Sequence, residues 1–221
     1  SMPNRNVVEQ ALQKCEFVVV SDCMEKNDTL TYADVKLPAT TWGEKDGTVT
    51  NSERRISRQT GLMPAPGKAK HDWQIIRDVA HKMGFTEHFN YQHSADIFKE
   101  HARLSGYKNG SHGYPVRDFD ISALSQLSLN EYNRLTPIQW PVNSTYPNGR
   151  QHIFDDGKFY TPSKKAQFIA VTAQLPQQIP NIDYPFILNS GRLRDQWHTM
   201  SRTGKSAALA KNMKEPFLFI N

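Results

Sequence analysis

The order of apolar and polar runs in the N-terminal part is the feature that most limits the folds open to this chain. Apolar residues at helical spacing around Val8 predict a short amphipathic helix, and the apolar run 16–21 predicts a buried strand. A short helix at 28–33 would then precede a second strand at 34–38. This alternation is typical of α/β folds, so we predict a parallel sheet, whose ligands lie beyond the carboxyl ends of its strands.

Composition and charge exclude several classes of protein. The 221 residues have room for one or two domains and a sizeable core, and the mean hydropathy of −0.65 is that of a soluble chain. No apolar run approaches the roughly 20 residues that cross a bilayer, so we expect no membrane span. The net charge of +5 is spread along the chain and identifies no partner. No GxGxxG follows either predicted strand, so an ordinary nicotinamide-binding fingerprint is absent.

The two cysteines predict no metal centre. Cys15 and Cys23 flank the first predicted strand, without a CxxC spacing or a histidine cluster beside them. We therefore predict free, reduced thiols, which favour a cytoplasmic location.

The densest site-like chemistry lies at 189–204. Gly191 would let a ligand approach the backbone after the apolar run 184–188, which has strand character. Arginine forks suit paired phosphate oxygens, an indole offers a flat face, and imidazole and hydroxyl groups donate or accept. These groups are Arg192, Arg194, Trp197, His198, Thr199, Ser201, Arg202 and Thr203. The set suits a large, flat, anionic ligand, although a solvated arginine-rich loop with a packed Trp-His pair remains the alternative.

A second polar stretch, 42–55, carries another set of donors. Gly43 and Gly47 permit tight turns, and donors of different reach follow them. Those donors are Lys45, Thr48, Thr50 and Asn51, with Glu44 and Glu53 placed to orient the cations. From spacing alone, the stretch is equally typical of a polar turn between strands.

The middle of the chain is predicted to be helical. After a Pro/Gly connector at 61–67, an apolar stripe predicts a helix that Asp72 caps and Gly84 ends, and core packing explains the stripe. The stripe consists of Trp73, Ile76, Val79, Ala80 and Met83.

Two more helices are predicted, at 94–104 and at 121–135, and 137–141 is predicted to be extended because proline restrains its predecessor. His93 and His101 are interpreted as solvated or capping side chains, since neither has further metal ligands at a suitable spacing.

The wording of several segments resembles one family. Residues 191–204, GRLRDQWHTMSRTG, closely resemble the start of the C-terminal dinucleotide-binding domain of bacterial assimilatory nitrate reductases, members of the dimethyl-sulfoxide-reductase family of molybdopterin oxidoreductases. Residues 33–55, with Trp-x-Glu-Lys-x-Gly-Thr-x-x-Asn-x-Glu-Arg-Arg, are similar to a stretch found across that family, as are 69–76 and 137–142.

The resemblance implies a fold and a domain division. It implies an α/β segment of a parallel-sheet molybdopterin oxidoreductase domain with a helical stretch, followed by the beginning of a β-rich dinucleotide-binding domain. The division would be 1–144 for the α/β part, 145–180 for a linker and strand segment, and 181–221 for the start of the last domain. In the family the apolar run 217–221 only begins that domain, and the cysteine cluster and the residue that binds molybdenum lie upstream. We therefore expect a fragment.

The resemblance also implies a function. The parent would reduce nitrate to nitrite at a molybdenum held by two molybdopterin guanine dinucleotides, with electrons arriving through a [4Fe-4S] cluster. The donor would be a ferredoxin, a flavodoxin or a nicotinamide-linked reductase subunit, and the remainder of the parent chain would be the other partner. The implied cofactor-binding residues are Glu44, Lys45, Gly47, Thr48, Asn51, Arg54, Ser190, Gly191, Arg192, Trp197, His198 and Thr199. No residue is a credible metal ligand or catalytic group, so we expect the isolated chain to be inactive and to hold no cofactor.

Two alternatives stay open. A formate dehydrogenase or a periplasmic-type nitrate reductase shares the 42–55 and 137–142 patterns. A stand-alone basic binding module is the third reading, but the aromatic residues are not interleaved with clustered basic ones and no nucleic-acid motif is present, so we expect no nucleic-acid partner.

Overall fold

A computed structural model of the chain describes residues 2–212, 215 and 217–220. It divides into two compact units, one comprising Ser1–Cys15 with Gln167–Asn221 and the other Glu16–Ala166. Helices and strands are mixed, and the predicted domain boundaries at 144 and 180 stay predictions. No helix among the described residues is long and apolar enough to span a membrane.

The N-terminal helix α1 (Arg5–Lys14) confirms the amphipathic prediction. It ends where Cys15 becomes extended and its amide donates to the carbonyl of Leu12. No residue of α1 is fully buried, and Val7 is 54% exposed. Its apolar side is therefore only partly covered.

A pair of short strands, β1 (Val19–Asp22) and β2 (Val35–Pro38), confirms the predicted parallel pairing. A 3-10 turn at Thr29–Tyr32 connects them, as the predicted short helix. The expectation that the first strand is buried is wrong, because its residues alternate between exposed and half-buried. Parallel strands are buried where layers cover both faces, and within the described residues one face of β1 stays open to solvent.

The stretch predicted as a polar turn between strands is itself a hairpin. Strands β3 (Gly47–Thr50) and β4 (Arg55–Gln59) pair antiparallel, and only 51–54 form the turn. A third strand, β5 (Ile138–Gln139), pairs antiparallel with β4 and confirms that this part is extended. Ile56 is the buried residue of the hairpin, so β4 is the strand that faces the core.

Helix α2 (Asp72–Lys82) ends as predicted but begins differently. Its N-cap is His71 rather than Asp72, with the His71 amide donating to the side chain of Gln74. Gly84, at φ +91°, terminates it. Core packing holds for Ala80, which is buried, whereas Ile76, Val79 and Met83 are 59%, 49% and 67% exposed. Core packing is therefore the wrong explanation for these three positions, because no described residue covers that side of the helix.

Helix α3 (Ser94–Gly106) confirms the second helical prediction and supplies three of the core residues. The carboxylate of Asp96 accepts from the amide of His93, so His93 stands at the N-cap as interpreted. The buried side of α3 packs against residues from the hairpin and from the segment after it. The core consists of Ile56, Ala95, Phe98, Ala102, Ile121, Leu124, Tyr132 and Val142.

The predicted helix at 121–135 is wrong as a single element. A 3-10 turn at Ser122–Gln126 is followed by the short helix α4 (Leu129–Asn133). The break arises because Ser128 and Glu131 exchange hydrogen bonds: the Ser128 hydroxyl accepts from the Glu131 amide, and the Glu131 carboxylate accepts from the Ser128 amide. This capping box starts a new helix inside the segment.

The part after residue 145 is mostly irregular. The described residues of 184–188 form no strand, and the side chains of Tyr184, Phe186, Ile187 and Leu188 are exposed, so the predicted strand character is wrong for this structure. A strand needs a hydrogen-bonded neighbour, and none is present among the described residues. Two 3-10 turns, His198–Met200 and Thr203–Lys205, precede the short helix α5 (Ala207–Ala210). Residue 221 of the terminal apolar run lies outside the described residues.

Candidate functional site

The predicted cofactor-binding residues fall into two segments, one in each unit. The hairpin segment belongs to the unit 16–166 and the arginine-rich segment to the other unit. The hairpin segment runs along one strand and its turn: four residues of strand rise place Gly47 and Asn51 about 13 Å apart. Such a length suits an extended ligand rather than a small ion.

Glu44 and Lys45 are both engaged in contacts with their surroundings. The Glu44 carboxylate accepts from the Thr41 amide at 2.9 Å and caps the 3-10 turn Trp42–Glu44. The Lys45 ammonium pairs with Asp72 at 2.7 Å, at the first residue of α2. Both charges of that pair are partly exposed, so Lys45 can exchange Asp72 for an anion at little energetic cost.

Gly47 opens β3 without any structural need for glycine. Its φ is not in the left-handed region, and a Cβ built there would meet no atom within 4 Å. Thr48, in contrast, lies opposite Arg58, and directly opposed residues of an antiparallel pair share one face. Gly47 therefore leaves open space where a side chain would be, although its carbonyl accepts from Arg58 at 2.6 Å, while Thr48 lies on the face that carries Arg58.

Asn51 organises the hairpin turn with its side chain. Its carbonyl oxygen accepts from the amides of Glu53 and Arg55, at 3.1 and 3.0 Å, and its amide group donates to the Glu53 carboxylate. The hydrogen bonds from Asn51 and then from Arg55 lower the pKa of Glu53. The turn is thus held locally, with Asn51 at its centre.

Arg54 reaches across the unit instead of into solvent. One guanidinium nitrogen donates to the carbonyl of Trp140, and the other donates to the carbonyls of Arg150 and Gln151 at 3.1 and 3.0 Å. The guanidinium carbon lies 5.3 Å from the Trp140 ring centre. These contacts join the hairpin turn to residues that are 86 to 97 positions later in the chain.

A buried polar network beside the hairpin was not predicted. The Arg58 guanidinium, whose side chain is 9% exposed, donates to Asp46 at 2.8 Å and to Asn133 at 3.0 Å, and stacks 4.2 Å from the ring centre of Tyr132. The Ser94 hydroxyl donates to the other Asp46 oxygen at 2.5 Å. Burial raises the pKa of Tyr132, whose hydroxyl donates to Ser94. A sequence signal existed: Arg58 lies two residues after Ile56 and so on its buried strand face.

The arginine-rich segment is open to solvent. Ser190, Gly191 and Arg192 are exposed, and a Cβ built on Gly191 would also meet no atom within 4 Å. Its φ is not in the left-handed region either. Gly191 is therefore a second glycine that neither backbone conformation nor packing requires.

Trp197, His198 and Thr199 form an exposed aromatic corner. Trp197 is 62% exposed, and its ring packs edge-on against His198 with ring centres 4.6 Å apart. Thr199 and Met200 both have left-handed backbones, at φ +53° and +60°. Two successive non-glycine residues in that region cost roughly 1–3 kcal/mol each, and such strain collects at ligand-binding segments.

Hydrogen bonds inside this unit fix the backbone next to Trp197. The Thr203 hydroxyl donates to the side chain of Gln196 at 2.6 Å and accepts from the Trp197 amide at 3.0 Å. Asp195 accepts from Asn212, and this bond, followed by the one from Arg194, lowers the pKa of Asp195. A cavity of about 330 Å³ lies beside these residues, lined by Leu193, Arg194, Asp195, Gln196, Leu209 and Asn212.

Chemically, the two segments supply different things. The arginine-rich segment has an exposed cation, a flat aromatic face and hydroxyl groups, which together suit an anionic ligand with a planar ring. The hairpin segment offers open space beside Gly47, on a strand that pairs with β4. In the part of the chain that the structure describes, no three His, Cys, Asp or Glu side chains are grouped to hold a metal ion.

Comparison with known proteins gives one consistent result. Residues 1–82 match the sequence profile of the family described as Molybdopterin oxidoreductase. A nitrate reductase from Klebsiella oxytoca is 43% identical over 98% of this chain and 24% of its own length. The assimilatory nitrate reductase catalytic subunit of Bacillus subtilis is 35% identical over 100% of this chain and 29% of its own length. An F420-dependent formate dehydrogenase subunit alpha from Methanocaldococcus jannaschii is 34% identical over 100% of this chain and 30% of its own length. The chain thus spans less than a third of each of these relatives.

Proposed function

Since the chain belongs to the molybdopterin oxidoreductase family, we propose that it is a segment of a molybdenum enzyme that reduces nitrate to nitrite. Support comes from nitrate reductases that are 43% and 44% identical over essentially the whole chain. The segment's own task is to hold part of the molybdopterin guanine dinucleotide cofactor. When bound, that cofactor supplies the two-electron oxygen-transfer chemistry, and the protein supplies binding and orientation.

The single observation that carries this proposal is the pair of glycines that the fold does not need. Gly47 and Gly191 have ordinary backbone conformations and open space where a Cβ would be. Glycine loses more conformational freedom on folding than any other residue, so a glycine that the fold does not need costs stability. Close approach of a ligand to the backbone explains glycine at both positions, and each one lies in a segment proposed to contact the cofactor.

Around these glycines the side chains divide the work. Arg192 donates its planar fork to paired phosphate oxygens, and Ser190 adds a hydroxyl donor next to Gly191. Trp197 offers its exposed face to a planar ring, with His198 and Thr199 donating at its edge. On the hairpin, Lys45 supplies positive charge, and Thr48 and Asn51 line the strand. Glu44 and Arg54 contribute through the contacts that hold this segment.

The test is an alanine scan of glycines in the intact protein. Gly47→Ala and Gly191→Ala are expected to leave stability unchanged or slightly raised, by about 0.4–1 kcal/mol, and to lower the molybdenum and guanine nucleotide content several-fold. Gly149→Ala is the matched control, because its Cβ would lie 2.5 Å from the carbonyl oxygen of Gln139 and its φ is +81°. That variant should lose stability instead. Full cofactor content in both Gly47→Ala and Gly191→Ala would refute the proposed role of the segment.

Charge and activity give two further tests. Arg192→Ala in the intact protein should weaken cofactor retention by about 1.5–3 kcal/mol, the contribution of one charged hydrogen bond, so unchanged molybdenum occupancy would contradict its role. The isolated 221-residue chain is proposed to be inactive. Nitrate reduction by that chain, with dithionite-reduced viologen as donor, would overturn this.

A formate dehydrogenase is the second candidate, because formate dehydrogenase subunits from methanogens are 33% and 34% identical over nearly the whole chain. Assays of the intact protein with nitrate and with formate decide between the two substrates. A periplasmic-type nitrate reductase would share the nitrate activity and be distinguished by its cellular location. The basic binding module is tested by a salt-dependent shift of random DNA, for which we expect only weak binding.

The electron path is proposed by family alone. A [4Fe-4S] cluster held elsewhere in the parent protein would receive electrons from a ferredoxin, a flavodoxin or a nicotinamide-linked partner, and the cytoplasm remains the proposed location. Reduction of the intact protein by each donor in turn would identify the partner.

A further inference from the structure

The side chain of Arg54 is already committed to protein atoms. Its two terminal nitrogens donate to the carbonyls of Trp140, Arg150 and Gln151, and its guanidinium lies over the Trp140 ring. Its backbone takes part as well, because the Trp140 amide donates to the carbonyl of Arg54 at 3.2 Å. Main chain and side chain of Arg54 therefore both bind the segment 140–151.

The backbone of Arg54 supports the same conclusion. At φ +67° it occupies the left-handed region, where glycine or asparagine is usual and a residue of this kind is strained. A turn that only needed to reverse direction would be more stable with glycine there. Arginine at a strained position therefore indicates that the contacts of its side chain stabilise the fold by more than the backbone strain destabilises it.

The geometry points to Arg54 as a positioning residue: we propose that it fixes the hairpin turn, and with it the Gly47–Asn51 strand, for the cofactor without contacting the cofactor. This inference rests on the proposed function and deepens it. Asn51 begins the same turn, directly after β3: its amide donates to the Arg55 carbonyl at 3.1 Å and its carbonyl accepts from the Arg54 amide at 3.1 Å. Releasing Arg54 therefore also frees Asn51 and the end of β3.

Lysine distinguishes positioning from direct contact. A residue that meets a phosphate by charge alone keeps much of its effect as lysine, whereas a fork that serves three carbonyls in fixed directions does not. Arg54→Lys should therefore behave like Arg54→Gln. Arg55 is the matched control, since it carries the same charge one residue later and its side chain bonds the exposed Glu53.

The first measurement is hydrogen exchange in the cofactor-free intact protein. In Arg54→Lys and Arg54→Gln, the amides of Trp140 and Arg150 should exchange about tenfold faster or more, the scale expected when a charged hydrogen bond is lost. The Val142 amide, which donates to the Asp120 carbonyl at 2.7 Å, should not change. Arg55→Gln should leave all three amides unchanged. Unchanged exchange at Trp140 and Arg150 in both Arg54 variants would overturn the proposal.

The second measurement is the molybdenum and guanine nucleotide content of the same variants. In both Arg54 variants the molybdenum and guanine nucleotide content should fall several-fold, whereas Arg55→Gln should retain the wild-type content. Ile56→Val, a core change in the neighbouring residue, lowers stability without altering the turn, so it should also retain its content. Recovery of full content by Arg54→Lys alone would show direct contact and refute positioning. If the wild-type protein holds neither molybdenum nor guanine nucleotide, the proposed function fails. The exchange data still decide whether Arg54 fixes the hairpin turn.

Discussion

Replacing Arg58 with methionine tests the network that anchors the hairpin. Methionine keeps most of the side-chain volume but removes the guanidinium that donates to Asp46, Asn133 and the carbonyls of Gly47 and Gln59. Among the described residues, the change leaves the Asp46 carboxylate with the Ser94 hydroxyl as its remaining hydrogen-bond partner. It also removes the cation that stacks on the ring of Tyr132 at 4.2 Å.

The expected loss follows from these contacts. Breaking a buried ion pair by removing one partner destabilises a protein by roughly 3–5 kcal/mol. Two facts move the expectation to the lower end. The Asp46 side chain is 39% exposed, so water replaces part of the lost interaction. The Nε of Arg58 is buried without a hydrogen-bond partner among the described residues, and removing that unsatisfied donor relieves roughly 1–3 kcal/mol. We therefore expect Arg58→Met to lower the free energy of unfolding by about 3 kcal/mol.

Urea unfolding followed by tryptophan fluorescence measures this loss. Arg55→Met is the control, because its pair with Glu53 is exposed and contributes about 0–1 kcal/mol. A double-mutant cycle with Asp46→Asn should give a coupling energy of about 1.5–3 kcal/mol. If Arg58→Met unfolds within about 1 kcal/mol of Arg55→Met, the network does not anchor the hairpin.

Three further changes test the rest of the unit. Burial raises the pKa of Asp120, but hydrogen bonds from Ser122, Asn109 and Asn143 outweigh burial and leave the pKa lowered. The carboxylate therefore stabilises the fold above about pH 4 and loses this effect as the pH falls through the lowered pKa. The difference in unfolding free energy between wild type and Asp120→Asn should shrink on acidification. A difference that stays constant with pH would contradict this. Ser128→Ala removes an N-cap and should lower the unfolding free energy by about 1 kcal/mol, as measured in urea. Ile121→Ala, at a site with 0% exposure, should lower it by about 2–5 kcal/mol in the same assay.

Local patterns predicted the helices better than the strands. Helices α1 and α3 have apolar residues at helical spacing, and that spacing is visible in a single sequence. Strand β3, reading Gly-Thr-Val-Thr, has little apolar alternation and forms because β4 pairs with it. The break before α4 had a local signal that was overlooked, since Ser128 and Glu131 have the spacing of a capping box.

The sequence indicated which polar residues the candidate segments carry, but not which hydrogen bonds those residues form. Exposed Arg192 and Trp197 follow from a polar segment with no apolar periodicity. The partners of Arg54 lie 86 to 97 residues away, so no local pattern could show that an arginine in a glycine-rich polar stretch grips carbonyls. For the exposed stripe of α2, the local pattern was clear but insufficient. Its spacing predicts burial, but burial also needs a covering layer, which helical spacing alone cannot predict.

The two thiols make this chain ready for distance measurement. Cys15 and Cys23 are the only cysteines in the sequence, and both are free and exposed. They also fall on opposite sides of the division between the two units, which separates residues 15 and 16. A spin label on each would therefore report, in the isolated chain, the distance across that division without introducing a single new cysteine.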